Sequence, residues 1–307
     1  MPSPGFSNAS FALWQVSVLT TADAEESVSG FIEHLLLQCP SVYADARTGR
    51  VAVSVYLRGL AVPGRQLRNQ LRSGLKNIRN HGLDTTPGTI TIRRIRRTDW
   101  AESWKKHFKP VEISRTLLIK PGWSKRCPRE GQAVVVLDPG LSFGTGQHPT
   151  TSFCLKQLAN KRCAGRSQSF LDIGTGSGIL ALAAVKLGYR PVAAIDLDPV
   201  AIRVAKANAR RNRCSRFVRF SRRDLARLPL RSGRRFDVVC ANLETDLLVR
   251  QRDRIVNRLE PGGALVLAGI PESQFSTVHR CYKAARLNLV ASSAKCGWHS
   301  AVFRIGN

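Results

Sequence analysis

Acidic side chains are scarce in this sequence: 21 Asp and Glu stand against 48 Lys and Arg in 307 residues, a net charge of +27. No apolar stretch approaches the roughly 18 residues that a membrane span needs. The longest near the glycine turn described below, Ile179 to Val185, reads as part of a core helix, so no membrane association is expected. The opening MPSPGFSNAS lacks the basic start and apolar stretch of a secretory signal, and a cytoplasmic protein is the expectation. Eight cysteines, at 39, 127, 154, 163, 214, 240, 281 and 296, form no C-x-x-C and no cysteine–histidine cluster. That spacing excludes a zinc framework and predicts reduced thiols, with no metal bound. The loop GLSFGTGQH at 140–148 lacks the Gly-Lys-Ser/Thr that closes a phosphate-binding P-loop. With 43% hydrophobic residues the chain is no disordered scaffold, and its length suggests about two domains.

What is present is concentrated between Phe170 and Asp198, FLDIGTGSGILALAAVKLGYRPVAAIDLD. This is an apolar strand, a glycine-rich turn, an apolar helix and a second strand with an acid at its end. Gly174, Gly176 and Gly178 let backbone approach a ligand and turn sharply into a helix whose free N–H groups face it. Asp196 lies 22 residues beyond Gly174, close to the spacing at which a carboxylate meets a ribose hydroxyl pair. The dinucleotide fingerprint wants its third glycine one residue later, so a dehydrogenase is the second reading. The D-x-G-x-G-x-G order from Asp172 resembles the first motif of S-adenosylmethionine-dependent methyltransferases. In that resemblance Asp172, Gly174 and Gly176 serve the methionine end and Asp196 the ribose.

Elements on either side of this motif alternate regularly. Residues 11–18, 24–37, 41–46, 51–57, 64–79 and 89–95 read strand, helix, strand, strand, helix, strand, the ferredoxin-like order. A connector follows, in which Trp100, Trp104 and Phe108 recur at helical spacing and a strand ends at Pro121. A helix capped near Thr150 or Thr151 precedes the motif. After it come a helix over 199–211, strands at 216–220 and 236–241, a helix over 247–259, a strand at 263–268, a helix over 271–285 and strands at 288–293 and 300–305. The fold class expected is α/β: a seven-stranded, doubly wound, Rossmann-like sheet with a small N-terminal ferredoxin-like α+β domain. The expected domains are 1–96, a connector at 97–130, and 131–307. Ligands of such sheets bind beyond the strand carboxyl ends, where Gly174, Asp196, Asp224 and Asn242 converge. Asp224 suits either an adenine amine or a salt bridge among its arginine neighbours.

The positive charge is uneven. Residues 1–98 carry 12 cations and 6 acids, and the remainder 36 and 15. From Arg203 to Arg235 thirteen cations surround one acid, Asp224. Such a field favours polyanions such as RNA, and the alternative is a solvated face without a fixed partner. Only Phe217 and Phe220 interleave the arginines, unlike a single-strand stacking platform.

Four segments together carry a wider resemblance: LDPGLSFGTGQHPTT at 137–151, LDIGTGSGILALAAVKLG at 171–188, AIDLDPVAIRVAKANARRN at 194–212 and ANLETDLL at 241–248. With DWAESWKKHFKP at 99–110 and the ferredoxin-like leader, they are similar to the ribosomal protein L eleven methyltransferase family, whose sheet is of the class I methyltransferase type. The resemblance implies S-adenosyl-L-methionine as cofactor, contacted by Thr151, Gly174, Asp196 and Asn242. It implies a large-subunit ribosomal protein as partner, held by the leading domain and methylated on lysine and N-terminal amines. Asn242 and His148 are the candidate catalytic residues, His148 either as proton acceptor or as a structural loop histidine, and the enzyme is expected to be a monomer. Two departures stand out: Thr175 replaces a usual Cys, and Leu243, Glu244 and Thr245 replace Ile-Leu-Ala after Asn242. Glu244 would face either a cationic lysine or solvent. The absence of N-P-P-Y at Asn242 speaks against amide or base methylation. Other protein substrates, such as an electron-transfer flavoprotein subunit, and RNA methylated through the basic face, with a ribosomal RNA contact there, are the alternative readings.

Overall fold

The computed structural model describes residues 13–36, 40–45, 48–57, 59–60, 62–95, 110–137, 146, 148–163, 165–230 and 233–305. The chain gathers into two compact units, 1–108 and 109–307. Residues 96–109 of the connector, with Trp100, Trp104 and Phe108, and most of the loop at 138–147 lie outside the described residues.

In the first unit β1 (Leu13–Thr21), α1 (Glu25–Leu36), β2 (Ser41–Asp45), β3 (Arg50–Leu57), α2 (Gly64–Asn80) and β4 (Thr89–Ile95) follow one another. The sheet order is β2-β3-β1-β4, all antiparallel, which is the ferredoxin-like arrangement read from the sequence. Alternation explains its two faces. Val16 and Val18 on β1, and Val51, Val53 and Val55 on β3, point inward with no more than 1% exposure. They meet Leu67, Leu71 and Leu75, which helical spacing places on one stripe of α2.

The second unit begins with a three-stranded sheet of β5 (Val111–Ser114), β6 (Leu117–Lys120) and β7 (Ala133–Val136). Next come α3 (Pro149–Lys161), β8 (Phe170–Ile173), α4 (Ile179–Lys186), β9 (Val192–Asp196), α5 (Pro199–Arg211) and β10 (Val218–Arg222). The chain then continues through β11 (Phe236–Asn242), α6 (Thr245–Arg250), α7 (Arg252–Val256), β12 (Leu259–Pro271), α8 (Phe275–Ala284), β13 (Leu287–Lys295) and β14 (Trp298–Ile305). The large sheet runs β10-β9-β8-β11-β12-β14-β13. β8 to β12 pair in parallel, and β14 enters antiparallel between β12 and β13. One apolar layer, under α3, α4 and α5, includes Phe170, Leu182 and Val238. The other, under α6 to α8, includes Ile173, Leu248 and Tyr282.

Some boundaries differ from the expectation. β10 starts two residues later because Ser215–Phe217 winds as a 3₁₀ turn. The helix expected over 247–259 is two short helices meeting at Gln251. β12 is longer than the apolar run that announced it, with a register shift between Leu267 and Ile270 around Gly269 at φ +81°. No described helix is long and apolar enough to cross a membrane.

Candidate active site

The order of strands reverses between β8 and β11: the chain moves outward from β8 through β9 to β10, then returns to add β11 on the other side. A crevice opens at such a reversal beyond the strand carboxyl ends, and it is where ligands of these sheets bind. β8, buried at every residue, delivers Asp172 and the turn Gly174 to Gly178 to that point. The N–H groups of Gly174 and Thr175 both donate to the Ile195 carbonyl, at 2.9 and 3.0 Å, and this ties the turn to β9. Gly174 has φ +75°, and a Cβ there would lie 2.5 Å from Leu243 Cδ2. Only glycine lets the turn pass under Leu243.

Asp196 ends β9 with its carboxylate held by backbone. Oδ2 accepts from Gly176 N–H and Oδ1 from Asp198 N–H, each at 2.9 Å. Asp198 then caps α5 by accepting from Val200 N–H at 2.7 Å. Asp172 is 1% exposed. Its Oδ2 accepts from the Thr175 hydroxyl at 2.7 Å, and its Oδ1 completes no hydrogen bond. Burial pushes this carboxyl up to about 7, against weaker downward pulls from the Thr175 hydroxyl and the Ala181 amide.

On the far side of the turn, Asn242 is the last residue of β11, and Leu243 N–H donates to Ala268 O at 3.1 Å. A Cβ at Gly269 would lie 2.7 Å from Leu243 O and 2.9 Å from Asn242 Oδ1, so the β12 irregularity backs this tip directly. Glu244 follows, exposed, with no side-chain capping bond to α6.

α3 brings a third group. His148 occupies its N-cap, Pro149 is the first helical residue, and Thr150 and Thr151 lie inside the helix rather than capping it. His148 Nδ1 sits 2.7 Å from Thr150 Oγ1, and the ring meets Trp298 edge-on with centroids 5.4 Å apart. Burial lowers the pKa of His148. Thr151 is 1% exposed, and its hydroxyl has no hydrogen-bond partner. Gly146 packs toward Ile179 at the head of α4, which brings the start of α3 alongside the glycine turn.

Of the residues singled out in the sequence, Asp172, Gly174, Gly176 and Asp196 form one bonded group, and Asn242 borders it through Leu243. Asp224 follows β10: Oδ1 accepts from Ala226 N–H at 2.9 Å and Oδ2 lies 3.5 Å from Arg227 Nε, whose side chain is largely exposed. Sequence reasoning missed Leu243, Gly269 and Trp298, whose importance lies in contacts between distant strands. No group of histidines, cysteines and acids suited to a metal occurs among the described residues.

The family model described as ribosomal protein L11 methyltransferase (PrmA) matches residues 12–305, almost the whole chain. The chain belongs to this family. A ribosomal protein L11 methyltransferase of Geobacter metallireducens is 37% identical over 253 residues, covering 81% of this chain and 82% of the relative. Another, of Brevibacillus brevis, is 31% identical over 312 residues, covering 94% and 97%. The crystal structure of a ribosomal protein L11 methylase from Lactobacillus delbrueckii subsp. bulgaricus superposes with a TM-score of 0.58 at 27% identity. It covers 65% of this chain and 100% of that one. Membership in the family agrees with the strand order, in which the β13–β14 hairpin closes a seven-stranded methyltransferase sheet.

Proposed function

We propose that this chain transfers methyl groups from S-adenosyl-L-methionine to lysine side-chain and N-terminal amines of ribosomal protein L11. The observation that carries the reading is the turn after β8 in a chain that matches the family over residues 12–305: two buried polar atoms, Asp172 Oδ1 and Thr151 Oγ1, lack partners, beside a backbone only glycine permits. A buried polar group without a partner costs free energy, and a ligand carrying an ammonium group relieves it at Asp172. The donor set therefore fits this cofactor. Asp172 and Thr151 hold its amino-acid end, the Gly174 to Gly178 backbone lies along it, and Asp196 accepts from the ribose hydroxyls.

When bound, S-adenosyl-L-methionine supplies a methyl carbon made electrophilic by its sulfonium. The protein's part is to position and deprotonate the acceptor. A lysine amine has a pKa near 10.4 in water, so it must shed a proton before it attacks. His148, kept neutral by burial, accepts that proton, and Asn242 orients the amine from the tip of β11. Holding amine and methyl carbon about 3 to 3.5 Å apart and in line supplies most of the acceleration. No covalent enzyme intermediate is formed. The ferredoxin-like unit, within the expected 1–96 domain, binds the substrate protein, and the 131–307 domain carries the chemistry.

Purified protein incubated with radiolabelled S-adenosyl-L-methionine and free ribosomal proteins should label L11, and Asp196→Ala should abolish the label. Label in ribosomal RNA, or on no ribosomal protein, would overturn the reading.

A further inference from the structure

β10 is an open edge of the large sheet, and α5 packs against it. The buried side of α5 is Ala201, Ile202, Ala205 and Ala209. Its opposite side therefore presents Arg203, Lys206 and Arg210 at i, i+3 and i+7, all exposed. The turn that follows exposes Arg213 and Arg216, and β10 exposes Arg219 on the sheet face away from α5, since Val218 and Phe220 pack into the layer under that helix, so the cations flank both sides of this edge. From 203 to 223 there is no acidic residue at all. Among the described residues none of the large exposed apolar side chains falls in this stretch either. The aromatic residue closest to the arginines, Phe217, is already covered: the Arg190 and Arg216 guanidinium carbons lie 4.3 and 4.9 Å from its ring centroid.

We infer that this edge is a binding surface for the phosphate backbone of double-stranded RNA. Guanidinium groups match phosphate oxygens in a planar fork, and five of the six cations named are arginines. A row of cations without acids neutralises a polyanion at several points. The covered Phe217 leaves no platform for stacking unpaired bases, which selects a duplex over a single strand. The recognition is of charge and shape, and it goes beyond the methyl-transfer reading without depending on it.

The test uses the full chain and a fluorescent RNA duplex of about 20 base pairs, titrated between about 50 and 200 mM potassium chloride. Wild-type affinity should fall about 150-fold to 500-fold over that range, the dependence expected when some four to five phosphates are neutralised. The fourfold variant Arg203→Gln, Lys206→Gln, Arg210→Gln, Arg219→Gln should bind at least tenfold more weakly at low salt and with a shallower salt dependence. A control of equal charge change in the leading unit, Arg65→Gln, Arg72→Gln, Lys76→Gln, Arg94→Gln, should stay within about threefold of wild type. Lysine at the three arginine positions, R203K, R210K and R219K, should retain most of the binding and guards against misfolding. Equal weakening by both fourfold sets, no duplex binding by wild type, or tighter binding to phosphatidylglycerol vesicles than to duplex at the same salt would each overturn the inference. Methyl transfer to free L11, measured on the same fourfold variant, should be unchanged. If wild type transfers no methyl group, the methyl-transfer reading fails and the binding result stands.

Discussion

The nucleoside end and the acceptor end of the site are built from different bonds. At the nucleoside end every one of these links is donated by a backbone N–H within one stretch: Ile195 O takes those of Gly174 and Thr175, and the Asp196 carboxylate takes those of Gly176 and Asp198. At the acceptor end Asn242 and Leu243 after β11 pack on Gly269 of β12, and His148 at the start of α3 packs on Trp298 of β14. The first end is shaped when two adjacent strands and one turn form. The second exists only when the whole sheet and α3 have assembled, so its precision depends on distant packing. Asp196 also shows what a pre-formed site requires: its carboxylate is fixed by amides before any ligand arrives.

Asp196→Ala should have the largest effect, because it removes the proposed ribose acceptor and releases two amides together. Loss of charged hydrogen bonds of this kind is worth about 3 kcal/mol, or roughly 100-fold in affinity for S-adenosylhomocysteine by calorimetry. Thermal stability should fall far less. Gly174→Ala comes next and strikes the one point where the two ends touch. A left-handed φ costs a side-chain-bearing residue about 1–2 kcal/mol, and the clash with Leu243 adds to it. Leu243→Ala in the same chain should recover the steric share alone. Full recovery would show that the backbone at Gly174 carries no strain for alanine, and no recovery would show that Leu243 does not stand over the turn.

The difference between the ends also explains what could be read in advance. Chain contiguity made the nucleoside end legible: the strand, three glycines and acid stand in one stretch, and α5 begins and ends where its proline and arginines indicated. The ferredoxin-like order of the leading unit was legible because period-two and period-3.6 patterns alternate cleanly there. Trp298 against His148 was not, since 150 positions separate them and neither belongs to a local pattern. β12 outran its apolar signal because Gly269 carries the strand through an irregularity that a pattern search reads as an end.

Asp172 gives a smaller effect that distinguishes stability from binding by sign. Its pKa, about 7 in the fold against an ordinary 3.8, means that burial opposes the ionised form. The penalty is absent at low pH and accumulates as pH rises from about 4 to about 7. Asp172→Asn should therefore stabilise the ligand-free protein by about 4 kcal/mol at pH 8 and leave it unchanged near pH 4. Cofactor affinity should move the other way: the variant loses the carboxylate that meets the ammonium group, whereas wild type binds more tightly as pH rises through 7. Parallel changes in stability and affinity would remove Asp172 from the site.

Trp298→Ala should be the mildest and the most selective. An edge-to-face ring pair is worth about 0.5–1.5 kcal/mol, and its loss frees the ring that holds His148. The nucleoside end has no contact with that pair in its own bonding, so affinity for S-adenosylhomocysteine should stay within about twofold, while kcat falls about fivefold to tenfold. The pH profile of kcat should shift upward as well, because a less buried His148 returns toward its ordinary pKa of 6.5. A loss confined to cofactor affinity would mean that the two ends are one rigid unit. A kcat loss with an unmoved profile would leave His148 as a packing residue and take the proton acceptor elsewhere.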